Sequence, residues 1–281
     1  MESMNSGHEE RPQKTLRLSA EELSKFRLRG CTGAYSLLDS DDCLKIVTEY
    51  TSQKNVFIKV KTSKAASAVN SQRKYWKKSA HAALQRVEQV ARHPVIVEKV
   101  KSILGEDVLL WGSSVIVRRP GRIHKWHTDR EHFWWTGVTV FVGLVGTTPE
   151  SSLKVVPGSH RYMRSPTKGE RIDQDAEVLE RAKLYSVDPT VETIGLNEGE
   201  FFIFDGPMWH GSNNVSNNTR FALLLQYTSP DYAIRIPLTG DDEGASGQEL
   251  QTPENFSPPC LLVSGTDSFN QNRLITGNRC D

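Results

Sequence analysis

The spacing of apolar residues changes once along the chain, near Val108, and this change constrains the fold more than any other feature. Before Val108, signals typical of helices dominate. After it come short runs of β-branched and aromatic residues, separated by Gly, Pro and Asn. These runs cover residues 108–118, 137–145, 153–157, 191–196, 200–204 and 219–227. Helices followed by many short strands predict a mainly β fold, in which a helical layer packs on a β-sandwich or barrel.

Capping residues mark the helices of the first hundred residues. Ser19 begins a capping-box pattern, and Asp39 is placed to cap a second helix. The longest helical signal covers residues 79–104 and is divided by Pro94, which suits the first turn of a new helix. Gly105 suits the C-terminal cap of that helix.

The two ends of the chain are more polar than the region between them. Residues 1–17 are predicted to be a disordered or flexible arm. We interpret 18–281 as a single domain, since β folds often reach this size undivided. Within it we expect a helical layer at about 18–105, a β core at about 106–238, and a C-terminal loop and tail at 239–281.

Charge and cysteine content exclude several functional classes. Lys and Arg number 35 against 34 Asp and Glu, so no bulk field favours nucleic acid. No apolar run approaches the roughly 20 residues that span a bilayer, and the N-terminus lacks the apolar centre of a secretory signal. The four cysteines are scattered and read as reduced thiols. We expect a cytoplasmic protein without nucleic-acid or membrane partners, whose oligomeric state the sequence leaves open.

The stretch Trp126–Asp129 contains a candidate pair of metal ligands. On a strand, residues i and i+2 project to the same side, so His127 and Asp129 can approach one metal ion. His210 follows an apolar strand and a Gly-Pro bend, which can direct it back toward this pair. Two histidines and one carboxylate leave coordination positions open, as a non-haem Fe(II) oxygenase requires. Mn(II) and Zn(II) accept the same ligands, and an isolated His-x-Asp pattern is common by chance.

Arg220, ten residues beyond His210, adds a candidate anion-binding group. An arginine in so apolar a strand is costly to bury unless its guanidinium meets an anion. The distal carboxylate of 2-oxoglutarate is such an anion, and Ser212 is placed to donate to it. A structural ion pair of Arg220 is the alternative. The combination predicts an oxygenase that uses Fe(II), 2-oxoglutarate and O2.

Four segments of the chain, taken together, resemble the phytanoyl-CoA dioxygenase family, and the resemblance extends from about residue 26 to residue 231. They are Leu104–Val108 (LGEDV), Trp126–Asp129 (WHTD), Val155–His160 (VVPGSH), and the stretch from His210 to Arg220. The resemblance implies a double-stranded β-helix, the jelly-roll or cupin-like core whose open mouth holds Fe(II). It also implies His127, Asp129 and His210 as ligands, with Arg220 and Ser212 at 2-oxoglutarate.

The resemblance also implies the reaction, which is hydroxylation of a small molecule with release of succinate and CO2. Related halogenases have a small residue in place of the carboxylate ligand, so Asp129 disfavours halogenation. Desaturation, ring closure and alcohol oxidation stay open as uses of the same centre. A catalytically silent metal-binding member and a zinc hydrolase are the readings from other classes. A specialised metabolite is the expected type of substrate.

Six further residues are candidates for the substrate pocket. Aromatic side chains cluster beside the first ligand pair and are able to exclude water or stack on substrate. Core packing is the favoured interpretation of any single Trp, whereas the cluster as a whole favours at least one pocket wall. Basic residues nearby suit a polar or anionic substrate. The candidates are Trp126, Phe133, Trp134, Trp135, His160 and Arg118.

Overall fold

Two antiparallel sheets and a layer of helices make up the part of the chain that the computed structural model describes. That part comprises residues 16–58, 75–129, 131, 134–167, 170–237 and 255–275. Most of the predicted arm and the loop at 239–254 lie outside these residues. Among the described residues, no helix combines the length and the apolar character needed to cross a membrane.

The helices begin and end largely where the capping residues predict. They are α1 (Ala20–Arg29), α2 (Ser40–Gln53), α3 (Ala80–Ala83), α4 (Gln85–Ala91), α5 (Pro94–Leu104) and α6 (Asp175–Ala182), with 3-10 turns at Lys54–Val56, Pro149–Ser151 and Ser159–Tyr162. Ser19 forms the predicted capping box at α1, and Asp39 caps α2 by accepting from the N–H of Asp42. Pro94 occupies the first turn of α5 and Gly105 its C-terminal cap, as expected.

The larger sheet has six strands in the order β1-β9-β6-β11-β4-β14, and the smaller has four in the order β5-β10-β7-β8. The strands are β1 (Cys31–Ser36), β2 (Phe57–Ile58), β3 (Tyr75–Trp76), β4 (Val108–Arg118), β5 (Ile123–His127), β6 (Gly137–Gly143), β7 (Leu153–Val155), β8 (Glu192–Ile194), β9 (Glu200–Asp205), β10 (His210–Asn213), β11 (Arg220–Thr228), β12 (Ile236–Pro237), β13 (Asn255–Phe256) and β14 (Leu261–Ser264). Strands β2 and β3, and β12 and β13, form two small ribbons. The mainly β architecture with flanking helices is thus confirmed.

Each face of the sheets packs against a different layer. The outer face of the larger sheet meets the helices in a core that includes Ile96, Val140 and Leu223. Between the sheets, Phe141 and Phe202 pack against Val155 of β7. On the outside of the smaller sheet, α6 covers an apolar cluster that includes Trp209. The space between the sheets is therefore partly filled by aromatic rings, and the polar residues described below share that inner face.

The C-terminal tail contributes to the core. Strand β14 pairs with β4 at the edge of the larger sheet, where Leu261 lies opposite Leu110. Cys260, next to this strand, is fully buried as a free thiol, and Cys31 and Cys43 are also buried and free. Residues 261–264 are therefore a structural strand of the sheet, although the sequence indicates only a tail there.

Candidate active site

The two candidate histidine ligands lie side by side on neighbouring strands of the smaller sheet. His127 ends β5, His210 begins β10, and the two residues are partners in the antiparallel register. Their ring centroids are 4.2 Å apart. The Phe204 ring is 4.9 Å from that of His210 and closes one side of the pair. Pairing of β5 with β10 therefore brings together two residues separated by more than eighty positions.

The third candidate ligand, Asp129, lies two residues beyond the end of β5 and is buried. Its Oδ2 accepts a hydrogen bond from Nε2 of Gln226 at 3.0 Å and another from Oγ1 of Thr139 at 3.3 Å. Both donors belong to the larger sheet, on β11 and β6. The carboxylate of Asp129 is therefore held across the interior by the sheet opposite the histidines.

The three side chains have the chemistry of a metal site. One ligand atom from each of His127, Asp129 and His210 lies within 4.8 Å of the other two. Nδ1 of His127 donates to the carbonyl of Lys125 at 2.9 Å, and Nδ1 of His210 donates to that of Met208 at 3.0 Å. Such bonds fix the tautomer that leaves Nε2 with a lone pair. Two neutral nitrogens and one carboxylate oxygen form a donor set that fits Fe(II).

Burial favours the neutral form of the first histidine. Removal from water, and after it the proximity of His210, lowers the pKa of His127 to about 3. An imidazole must be neutral to coordinate a metal ion. The environment of His127 therefore favours the form that a ligand needs.

Arg220, at the start of β11, is almost completely buried. Its guanidinium donates to the backbone carbonyls of Ser151 and Ser152, the latter at 3.1 Å, and to Oγ of Ser212 at 3.2 Å. Burial, and after it the charge of Arg118, lowers the pKa of Arg220 to about 10, so it stays cationic at neutral pH. The structure thus brings Arg220 into contact with Ser212, which lies two residues after His210 on the same strand.

The candidate pocket residues occupy different places. Trp134 is 47% exposed and its ring lies 5.8 Å from that of Trp135, which is buried against Trp111. Trp126 packs beneath α6 and donates to Asp175 at 3.3 Å, which favours the packing interpretation of this side chain. Phe133 lies outside the described residues.

The two other pocket candidates are both basic. His160 lies beside α1, where its Nε2 is 3.3 Å from the carbonyl of Arg27. A side chain on Gly30 would collide with the His160 ring. Arg118 ends β4 directly opposite Arg220 in the register. Of these two residues, Arg118 is thus the one adjacent to the candidate cosubstrate group.

The residues that support the ligands were not predicted from the sequence. Thr139 and Gln226 are each a polar residue inside an otherwise apolar strand, and both are buried. A buried polar side chain in such a strand needs a hydrogen-bond partner, so this pattern could have indicated both residues from the sequence. Lys78, which forms an ion pair with Glu131 just beyond Asp129, gives no comparable signal.

Comparison with known proteins agrees with this geometry. The family model described as phytanoyl-CoA dioxygenase (PhyH) matches residues 37–222. No curated protein sequence gives a significant match.

Similar solved structures include "CytC3 with Fe(II) and alpha-ketoglutarate", at 15% identity and a TM-score of 0.60, with 93% of this chain and 95% of that chain covered. EctD from S. alaskensis, solved with 2-oxoglutarate and 5-hydroxyectoine, has 16% identity and a TM-score of 0.60 over 96% and 91% of the two chains. The 2-oxoglutarate-dependent epimerase SnoN has 15% identity and a TM-score of 0.51 over 85% and 93%.

At these identities the structural likeness concerns the fold, and it confirms the predicted cupin-like jelly-roll core. The family match is independent of it and covers more than half of the chain. The chain therefore belongs to the phytanoyl-CoA dioxygenase family and is an Fe(II)- and 2-oxoglutarate-dependent oxygenase.

Proposed function

We propose that this enzyme hydroxylates a small organic molecule, with succinate and CO2 as the other products. The observation that carries the proposal is that one ligand atom from each of His127, Asp129 and His210 lies within 4.8 Å of the other two. The two histidines lie on the paired strands β5 and β10, and Arg220 begins the strand that follows β10 in the chain. A buried ligand set with open coordination positions and a buried cation close by suits an oxygenase that takes an anionic cosubstrate.

His127, Asp129 and His210 would hold the iron. Bound Fe(II) supplies the coupling of O2 reduction to the oxidative decarboxylation of 2-oxoglutarate. The chain contributes the fixed orientation of the ligands. Two backbone carbonyls orient the imidazoles, and Gln226 and Thr139 orient the Asp129 carboxylate. Such supporting hydrogen bonds keep a metal site in shape during substrate exchange.

Arg220 and Ser212 would bind the distal carboxylate of 2-oxoglutarate. A guanidinium matches a carboxylate with two parallel N–H donors, and the Ser212 hydroxyl adds a third. Arg220 also donates to a backbone carbonyl and to the Ser212 hydroxyl, so both groups that would bind the carboxylate are held at one place.

The same centre also suits desaturation, ring closure or alcohol oxidation, because the outcome depends on where the substrate lies. Similar structures are described as an epimerase and a carbocyclase, so this fold supports several outcomes. Product mass separates hydroxylation, which adds one oxygen atom, from desaturation, ring closure and alcohol oxidation, each of which removes two hydrogens. Hydroxylation is proposed here because it is the default outcome when an Asp129-type carboxylate completes the ligand set.

The test is an anaerobic titration of the metal-free protein with Fe(II) and 2-oxoglutarate, monitored for the weak visible charge-transfer band of a chelated keto acid. We expect the band in the wild type and its loss in Asp129→Ala, with unchanged circular dichroism. Succinate release would then serve to screen substrates. A folded wild type that gives no band and binds zinc in preference would overturn the proposal in favour of a hydrolytic or silent role.

A further inference from the structure

Two arginines face each other across the strand pair at the candidate cosubstrate site. Arg118 is the last residue of β4, Arg220 is the first of β11, and the two are direct partners in the antiparallel register. Residues paired in this way project from the same face of the sheet, with their Cβ atoms about 5 Å apart. Arg220 is buried and Arg118 is half-buried. A second guanidinium therefore lies beside the one already assigned to the cosubstrate.

The two cations share no acidic partner within the described part of the chain. Among the residues that the structure describes, neither arginine forms an ion pair, and Nε of each is buried without a hydrogen-bond partner. Arg118 has one hydrogen bond, from Nη1 to the carbonyl of Val117 at 3.3 Å. The partners of Arg220 are all neutral oxygens. Like charges opposite each other destabilise a strand pair, so this arrangement is suited to an anion that binds both.

This doubly charged pocket continues to the metal ligands. Ser212 contacts Arg220 and is the register partner of His124 on β5. The ring centroid of His124 lies 4.4 Å from that of His127. A bulge between these histidines brings both rings to the same side of β5. A chain of contacts and strand pairing therefore runs from His127 through His124 and Ser212 to the arginines.

We propose that Arg118 is a second binding residue for the distal carboxylate of 2-oxoglutarate and acts together with Arg220. The inference rests on the proposed function, since it assumes that a 2-oxo dicarboxylate enters this pocket. Two guanidiniums offer a carboxylate more N–H donors than a single arginine does. They also leave the pocket cationic after binding, which favours a dicarboxylate over a monocarboxylate. Arg118 is thus expected to determine the preference of the site for a keto acid that carries a distal carboxylate over one that does not.

The test compares Arg118→Met with Arg119→Met by calorimetry in the presence of Mn(II), which accepts the same ligands. Arg119 is the adjacent residue, is exposed, and carries the same charge, so it controls for the loss of one cation. The probes are 2-oxoglutarate and 2-oxopentanoate, the five-carbon keto acid that has a methyl group in place of the distal carboxylate. We expect Arg118→Met to bind 2-oxoglutarate about tenfold more weakly than Arg119→Met, with the same affinity as that control for 2-oxopentanoate.

Equal affinities of the two variants for 2-oxoglutarate would overturn the inference, and so would an equal loss for both probes, which indicates a distorted metal site. If Arg118→Met does not fold, Arg118→Lys keeps the charge and removes the planar fork. That variant should bind 2-oxoglutarate at least about threefold more weakly than Arg119→Lys, and equal binding would overturn the inference. A wild type that itself fails to bind 2-oxoglutarate would instead refute the proposed function.

Discussion

Gln226 donates a 3.0 Å hydrogen bond to Asp129 from the opposite sheet, and this bond links the candidate metal centre to the strand that begins with Arg220. The Gln226 side chain is buried and lies close to Gly112, where a β-carbon would be 2.8 Å from its Oε1. The small residue at position 112 thus leaves the room that the amide requires. The orientation of the Asp129 carboxylate therefore depends on its hydrogen bond with Gln226 as well as on Asp129 itself.

Removing that hydrogen bond should weaken metal binding. Gln226→Leu keeps the approximate volume of the side chain and removes the donor, and we expect Mn(II) affinity to fall by about tenfold. Thr139→Val removes the longer, 3.3 Å bond and should have a smaller effect. Competition against a fluorescent chelator measures both affinities. If Gln226→Leu bound Mn(II) as tightly as the wild type, the proposed orienting role would be wrong.

Replacement of Arg220 should act on the cosubstrate rather than on the metal. Arg220→Met removes the buried cation, and the loss of a charge-assisted pair costs about 2–5 kcal/mol of 2-oxoglutarate binding. This corresponds to a Kd at least about thirtyfold higher. Mn(II) affinity without cosubstrate should change little. Arg122→Met, at an exposed position, is the control. An unchanged Kd for 2-oxoglutarate would make Arg220 a structural residue.

His81 should make stability fall in acid. Its ring is fully buried, 2.7 Å from the hydroxyl of Ser113 and 3.0 Å from the carbonyl of Pro259. Burial lowers the pKa of His81 from 6.5 to about 4. The unfolded chain therefore takes up a proton that the folded protein rejects. The stabilisation is complete above about pH 6.5 and is lost as the pH falls toward 4, by about 3 kcal/mol in total.

Urea unfolding of the metal-free protein across this pH range measures the effect. His81→Gln should be less stable than the wild type at pH 7, because it replaces a buried ring held by two partners. The difference between the two proteins should then shrink as the pH falls from 6.5 to 4. A difference that stays constant over this range would contradict the assignment to His81.

Alanine substitutions of the two adjacent tryptophans should affect the free energy of unfolding very differently, because one side chain lies in the core and the other at the surface. Trp135 is 4% exposed and packs edge-on against Trp111, whereas Trp134 is 47% exposed. Trp135→Ala should therefore lower the free energy of unfolding by about 3 kcal/mol or more. Trp134→Ala should change it by less than about 0.5 kcal/mol. If Trp134 lines the pocket, Trp134→Ala should in addition raise the KM for the substrate, which steady-state kinetics would detect once a substrate is known.

Local patterns predicted the parts of this molecule that depend on neighbouring residues. The caps at Ser19 and Asp39 and the helix start at Pro94 were read from the sequence, because a capping side chain bonds within one helical turn. Strand β4 has the predicted limits because turn residues bound an apolar run. The approach of His127 and Asp129 was also predictable, since residues two apart near a strand end share a side.

Features that depend on distant pairing were not predictable. Strand β14 is four residues long and is stabilised by its pairing with β4, about 150 residues earlier in the chain. Helix α6 was missed although Ala, Leu, Glu and Arg are good helix formers, because at eight residues it is short, and it is held by burial of Val178 and Ala182 against the smaller sheet. The proximity of Arg118 to Arg220 also follows from register alone. Apolar periodicity does not report the register between strands.

The bulge in β5 makes the candidate centre respond differently to a deletion and to an insertion. His127 pairs with His210 and His124 with Ser212, so one strand uses one residue more than the other over this interval. A substitution of exposed Lys125 changes a solvated side chain and keeps that count. Deletion of one residue between the histidines would remove the bulge and leave them two apart, a spacing that keeps both rings on one side of a regular strand. An insertion would instead add a second residue that β10 does not match, so homologues that retain this centre should shorten this interval by one residue more often than they lengthen it.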